Sequence, residues 1–217
     1  MKIAFFDIDG TLTQLATERS LIKFLFSNRI LSPQRFISSV LRFLFTHCAI
    51  TKSQWKAFKT YLCGLKVSEI ESAASECFEK TIRFDFRDNV VAELNRKRAE
   101  GYTIVLLSGS IDPVANLIAR YLNADALICS KLERKSDRFT GNLVNLHPYG
   151  IHKKKLAEKF CQDYGTELKN ALAFANDYSD RFLMASAGEA VALLGQEQPR
   201  AVDQVDHRQP QPQRHLL

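Results

Sequence analysis

Two carboxylates follow a short apolar run in "FFDIDGTLT", residues 5 to 13, where Asp7 and Asp9 precede Gly10. Burying such groups costs several kcal/mol unless something pairs with them or ligates them. Two further stretches carry polar groups at the ends of apolar runs: Ser108-Gly109-Ser110 after "YTIVLL", and Asn176, Asp177 and Asp180 after "ALAFA". In an open parallel sheet, ligands bind beyond the carboxyl ends of the strands, so these three strand ends would deliver their groups to one edge. Clustered carboxylates repel unless a cation sits among them, and oxygen ligands with few His or Cys suit Mg²⁺. A phosphate would complete the metal's shell, which points to metal-assisted phosphoryl chemistry.

The elements that must position these groups are legible in the hydrophobic pattern. Lys2 to Phe6 reads as a buried parallel strand. Helical periodicity follows for about seventy residues. Leu21, Ile22, Leu25 and Phe26 share one face, and Ser32-Pro33 starts a helix carrying Phe36, Ile37, Val40, Leu41, Leu44 and Phe45. Thr51 opens a third helix through Trp55, Phe58 and Leu62 to Gly64. Ser68 and Glu71 read as the capping box of a fourth. From Asp88 onward, helices alternate with the strands "YTIVLL", "DALIC", "ALAFA" and "AVALL", interrupted by a hairpin over 132–146 that turns at Thr140-Gly141. The expected class is therefore α/β: a parallel sheet in a Rossmann-like core, covered on both faces, with a small α-helical insertion. The expected organisation is a core of residues 1–13 and 86–195, a helical cap over 14–85, and a disordered Gln- and Pro-rich tail over 196–217.

The bulk composition narrows the classes. The chain has 217 residues, 46% of them hydrophobic, enough for one domain with an insertion. Five cysteines, Cys48, Cys63, Cys77, Cys129 and Cys161, form no C-x-x-C pair and read as free thiols in a reducing cytoplasm. No signal peptide is expected, because Asp7 ends the first apolar run, and no stretch reaches the ~18 apolar residues of a spanning helix. The net charge of +6 is concentrated: Thr13 to Lys59 holds eight Lys or Arg against one acid, Glu18. Such a stretch is either a solvated helix surface or an attractor of anions: a phosphorylated substrate, a membrane or nucleic acid.

In order, "FFDIDGTLT", "LLSGS", a Lys after "PYGIH" and "AFANDYSDRFLM" resemble the four motifs of the haloacid dehalogenase superfamily. The insertion after the first motif and the hairpin "KLERKSDRFTGNL" are similar to its phosphoserine-phosphatase-like branch. The resemblance implies a Mg²⁺-dependent phosphomonoesterase. Asp7 would be the nucleophile and a metal ligand. Asp9 would be the general acid and base, with its backbone carbonyl on the metal. Ser108 and Gly109 would hold the phosphoryl group, and Lys153 would neutralise it, with Lys154 the fallback. The fourth motif departs from the pattern: Asn176 stands where the family has an acid four residues before Asp180. Either Asn176 is a weakened ligand, the outcome expected here, or the loop shifts so that Asp177 coordinates and Asp180 acts through water. The expected substrate is a small phosphorylated metabolite resembling phosphoserine, whose ammonium and carboxylate Glu18 and Arg19 could meet. Nucleic acid is not an expected partner. Two rival readings are a lipid-phosphate phosphatase whose basic cap touches an anionic membrane, and a non-catalytic anion- or nucleic-acid-binding module.

Overall fold

Alternation along the first strand sets the architecture. In the computed structural model, which describes residues 1–46 and 51–192, β1 (Ile3–Phe6) is buried along its whole length. Successive side chains of a strand point to opposite faces. Ile3 and Phe5 accordingly join one apolar cluster with Val105, Leu107, Ala157 and Cys161. Ala4 and Phe6 join the other, with Leu106, Val114 and Phe174. Phe6 stacks on Phe174 with ring centroids 4.3 Å apart. Both faces of the sheet are thus covered, as a parallel sheet requires.

The chain leaves this sheet at Thr13 and returns at Phe86, and the two passages run side by side. Thr13 bridges Phe86, Gln14 N donates to Asp85 O, and Arg87 N donates to Leu12 O. Between them lie α1 (Thr17–Ser27), α2 (Pro33–Thr46), α3 (Lys52–Lys56) and α4 (Val67–Lys80), with a 3-10 turn at Thr60–Leu62. Ser32 Oγ accepts from Arg35 N and caps α2. Thr51 and Gln54 form the capping box of α3. The start of α4 differs from the sequence expectation. Lys66 is its N-cap, without a side-chain cap, and Glu71 instead pairs with Arg134 across the hairpin at 3.0 Å. The outer face of α2 carries Ile37, Leu41, Leu44 and Phe45, all exposed.

The remainder alternates. Helix α5 (Asp88–Ala99) leads to β2 (Thr103–Ile111), α6 (Asp112–Tyr121) and β3 (Ala126–Ser130). The hairpin β4 (Leu132–Lys135) and β5 (Arg138–Leu143) follows, then α7 (Ile151–Asp163), β6 (Leu172–Ala175), α8 (Arg181–Met184) and β7 (Glu189–Ala192). The five-stranded sheet has the order β3-β2-β1-β6-β7, and every neighbouring pair in it is parallel. The hairpin turns at Ser136-Asp137, not at Thr140-Gly141. Gly141 lies inside β5, where an added Cβ would come within 2.9 Å of the Thr60 Cα. That glycine serves close packing rather than a turn. Asp112, the first residue of α6, accepts from Leu132 N and pairs with Arg134. Cys63, Cys77, Cys129 and Cys161 are free thiols. Cys48, the end of "AVALL" and the predicted disordered tail lie outside the described residues. Among the described residues no helix is long and apolar enough to cross a membrane.

Candidate active site

Because β1 is the central strand, whatever follows it stands between the ends of its two neighbours. Asp7 N still donates to Phe174 O at 3.0 Å, so the nucleophile candidate is held by the sheet itself. The chain then turns at Gly10, whose φ of +78° favours glycine. Asp7 is 6% exposed, and Thr11 Oγ1 donates to its Oδ2.

The counter-charge arrives from the far side of the chain. Gly150, at φ +58°, starts α7, and the first turn of that helix points Lys153 inward. Its Nζ lies 2.8 Å from Asp7 Oδ1 and 2.8 Å from Asp180 Oδ1. Burial opposes the charge on Lys153, but Asp7 and Asp180 outweigh it and hold the ammonium above its ordinary value. Lys154 is partly exposed and faces Glu158, and Lys155 is exposed. Burial pushes the Asp180 carboxyl up from its ordinary value against the pull of Lys153. Its Oδ2 is buried without a hydrogen-bond partner.

Asp9 lines the same site. Its Oδ1 accepts from Thr17 N at 2.7 Å and from Thr17 Oγ1 at 2.8 Å, and its Oδ2 accepts from Ser110 Oγ at 2.9 Å. The carboxylate therefore meets the N-terminus of α1, which favours a negative charge. Burial first, and then the nearby Asp7, nevertheless push its carboxyl up from the ordinary value. Thr17 and Ser110 were not among the sequence candidates. The sole hint was their type: a threonine at a helix start and the last serine of "SGS".

Ser108 is buried against Ser110 Oγ at 3.1 Å. Gly109 lines the cavity, and a Cβ there would lie 3.1 Å from His147 Cε1. His147 is a further residue that sequence reasoning missed. Ser130 Oγ donates to Gly109 O, so the 2.7 Å contact between Ser130 Oγ and His147 Nδ1 needs the proton on Nδ1. That leaves Nε2 a bare acceptor, buried and without a partner.

These groups border a cavity of about 290 Å³, close to the smaller ligand sites of enzymes. Asp7, Asp9, Ser108, Gly109, Lys153, Asp177 and Asp180 all line it. Asn176 does not. Its side chain is exposed outside the cavity, whereas Asp177 lines it and also accepts from Ser179 N at 2.7 Å. Of the two alternatives in this loop, Asp177, the N-cap of the 3-10 turn Tyr178–Asp180, lines the cavity. The helical segment supplies part of the wall through Glu18 and Lys56. Glu18 accepts from Lys59 Nζ at 2.7 Å and from Tyr61 OH at 2.6 Å, while Arg19 is exposed and away from the cavity.

Among the described residues, no three His, Cys, Asp or Glu side chains form a ready metal site. The partnerless Asp180 Oδ2 beside Asp7 is nevertheless an anionic oxygen that asks for a cation. The donor set is all oxygen, as Mg²⁺ prefers.

Comparison with known proteins places this arrangement. A probable phosphatase of Mycobacterium tuberculosis is 21% identical over 192 residues, which span 86% of this chain and 67% of that protein. A solved structure of a protein of unknown function from Bordetella pertussis superposes with a TM-score of 0.75 at 20% identity, covering 88% of this chain and 89% of the other. A phospho-aspartyl intermediate analogue of phosphoserine phosphatase superposes with a TM-score of 0.60 at 18% identity, over 88% and 86% of the two chains. At such identities the structural likeness carries the fold. The sequence pattern of the haloacid dehalogenase-like hydrolases matches residues 4–185, from the first strand through the loop that bears Asp180, and the chain is a hydrolase belonging to that family.

Proposed function

We propose that the chain is a Mg²⁺-dependent phosphomonoesterase that works through an aspartyl-phosphate on Asp7. The observation that carries this reading is the buried Asp7–Lys153–Asp180 bridge, both arms 2.8 Å long, with Asp9 held in the same cavity by Thr17 and Ser110. The phosphatase and phosphoserine phosphatase likenesses support it. Residues 14–85 act in this reading as a cap over the core of 1–13 and 86–195.

Asp7 attacks phosphorus as the bond to the leaving oxygen breaks, and the leaving alcohol takes a proton from Asp9. The raised value of Asp9 suits it to hold that proton. Asp9 then takes a proton from the water that attacks the aspartyl-phosphate, which frees Asp7 and phosphate. Lys153 and the Ser108-Gly109 stretch of β2 stabilise the charge on the phosphoryl oxygens. Asp7, the Asp9 backbone carbonyl, Asp180 and Asp177 would hold Mg²⁺, which supplies positive charge against the phosphoryl oxygens when bound. The substrate class is a small phosphorylated metabolite. We place the enzyme in the cytoplasm, where its buried thiols stay reduced.

The test is hydrolysis of p-nitrophenyl phosphate by the parent and by Asp7→Asn, with Mg²⁺ and with EDTA. Acid quenching during turnover should leave one phosphoryl group on the parent, located on Asp7 by mass spectrometry. Turnover by Asp7→Asn within about tenfold of the parent refutes the nucleophile assignment.

A second reading, peripheral contact with anionic membrane, is favoured by the outer face of α2. Its Phe45 is 87% exposed beside exposed Ile37, Leu41 and Leu44, in a stretch rich in Lys and Arg. Co-sedimentation with phosphatidylglycerol vesicles but not phosphatidylcholine vesicles is expected, and is lost in Leu41→Glu/Phe45→Glu. Equal recovery with both lipids removes this reading.

A further inference from the structure

The helical segment brings to the cavity wall charged groups, Glu18 and Lys56, that the phosphoryl chemistry leaves unused. Glu18 is the acid there that could meet a substrate's ammonium, but both of its oxygens are engaged. Oε2 takes Lys59 Nζ at 2.7 Å and Oε1 takes Tyr61 OH at 2.6 Å. The Lys59 side chain is 1% exposed, and its other contact is the neutral Lys56 carbonyl at 2.8 Å. An ammonium that took Glu18 from Lys59 would strand a buried charge, which is strongly unfavourable. Tyr61 is itself buried and would lose its acceptor.

Lys56 stands in the same wall. It is exposed, and its ammonium makes no ion pair among the described residues. With Glu18 neutralised by Lys59, one positive charge is left over on this wall. Gln14, His147 and Tyr149 line the same cavity.

We propose that this site selects a phosphomonoester whose leaving group carries a second anion and no ammonium, and that Lys56 binds that anion. The inference rests on the phosphatase reading for its substrate frame and narrows it away from phosphoserine. Three probes of one skeleton separate the contributions. O-phosphoserine carries carboxylate and ammonium. Phosphoglycerate replaces the ammonium with hydroxyl. Glycerol phosphate lacks the carboxylate as well.

Phosphoglycerate should exceed each of the other two in kcat/KM by roughly tenfold, the size of one charge-assisted hydrogen bond. In Lys56→Gln the ratio of phosphoglycerate to glycerol phosphate should fall close to one. Propanediol bisphosphate, run beside phosphoglycerate, shows whether phosphate or carboxylate is the better second anion; either preference over glycerol phosphate supports the proposal. Calorimetric Kd values on Asp7→Asn give the same ranking without turnover. If the parent hydrolyses none of the probes while Asp7→Asn keeps the ranking, the phosphatase reading falls and this inference stands. O-phosphoserine equal to or better than phosphoglycerate, a ratio unmoved by Lys56→Gln, or no binding of any probe at millimolar concentration overturns it.

Discussion

Replacing Lys153 by Met tests whether the buried bridge is the electrostatic centre of the site. Nζ lies 2.8 Å from a carboxylate oxygen of Asp7 and 2.8 Å from one of Asp180, and all three side chains are 6% exposed or less. At an effective dielectric of about 20, each contact is worth roughly 6 kcal/mol in gross Coulomb energy. Desolvation of the three groups offsets most of that. Removing the lysine leaves that cost in place and adds repulsion between Asp7 and Asp180. Breaking a buried pair in this way costs about 3–5 kcal/mol. For a domain of this size that lowers Tm by on the order of 10 °C. Differential scanning calorimetry in EDTA measures it without interference from a bound cation. Asp180→Asn in the Lys153→Met background removes one stranded charge and should recover about half the loss. Lys154→Met is the control: its partner Glu158 is 3.5 Å away on the helix surface, and such pairs contribute about 0.3–0.5 kcal/mol. A Tm for Lys153→Met within about 2 °C of the parent, or an equal loss in Lys154→Met, refutes the reasoning.

The fourth-motif loop gives a sharp contrast: Asp177→Ala should raise the Mg²⁺ concentration for half-maximal turnover severalfold, whereas Asn176→Asp should change it little, as a Mg²⁺ titration of both variants will show. His147 gives a pH dependence. Burial first, and then Lys59, push its imidazole down from 6.5 to about 4, so the folded state resists a proton that the unfolded chain accepts below pH 6.5. Its contribution is therefore fully present above pH 6.5 and declines as the pH falls toward 4, by about 2 kcal/mol at pH 5. Urea unfolding at pH 7.5 and pH 5 should show that slope in the parent and a smaller one in His147→Gln; equal slopes remove His147 as its source.

Much of this protein is written in short stretches of its sequence. The strand before Asp7, the alternation that puts Ile3 and Phe5 on one face and Ala4 and Phe6 on the other, and the helical period through α1 and α2 depend on neighbours a few residues apart. Backbone geometry turns that spacing into a buried face without reference to the rest of the chain. The parallel sheet follows from the alternation of strands and helices, and the sheet in turn brings Asp7, Ser108 and Asp180 to one edge. The choice of Lys153, three residues after Gly150, came instead from the resemblance to the family's motifs.

What needed the tertiary structure are the meetings between distant residues. Thr17 and Ser110 lie 93 positions apart, and both close on Asp9. Glu18 is neutralised by Lys59 and Tyr61, 41 and 43 positions away, which turns an apparent ammonium receptor into a spent one. That Asp177 and not Asn176 lines the cavity is likewise set by the path of the loop at the end of β6. Pairings of this kind are settled by how the helical segment packs on the sheet. Local propensities are nearly silent about them, because the same acid at position 18 is equally at home exposed, bound to substrate or locked to a buried lysine. Only the packing that takes Lys59 out of water decides which, since a buried ammonium must find its counter-charge within the fold.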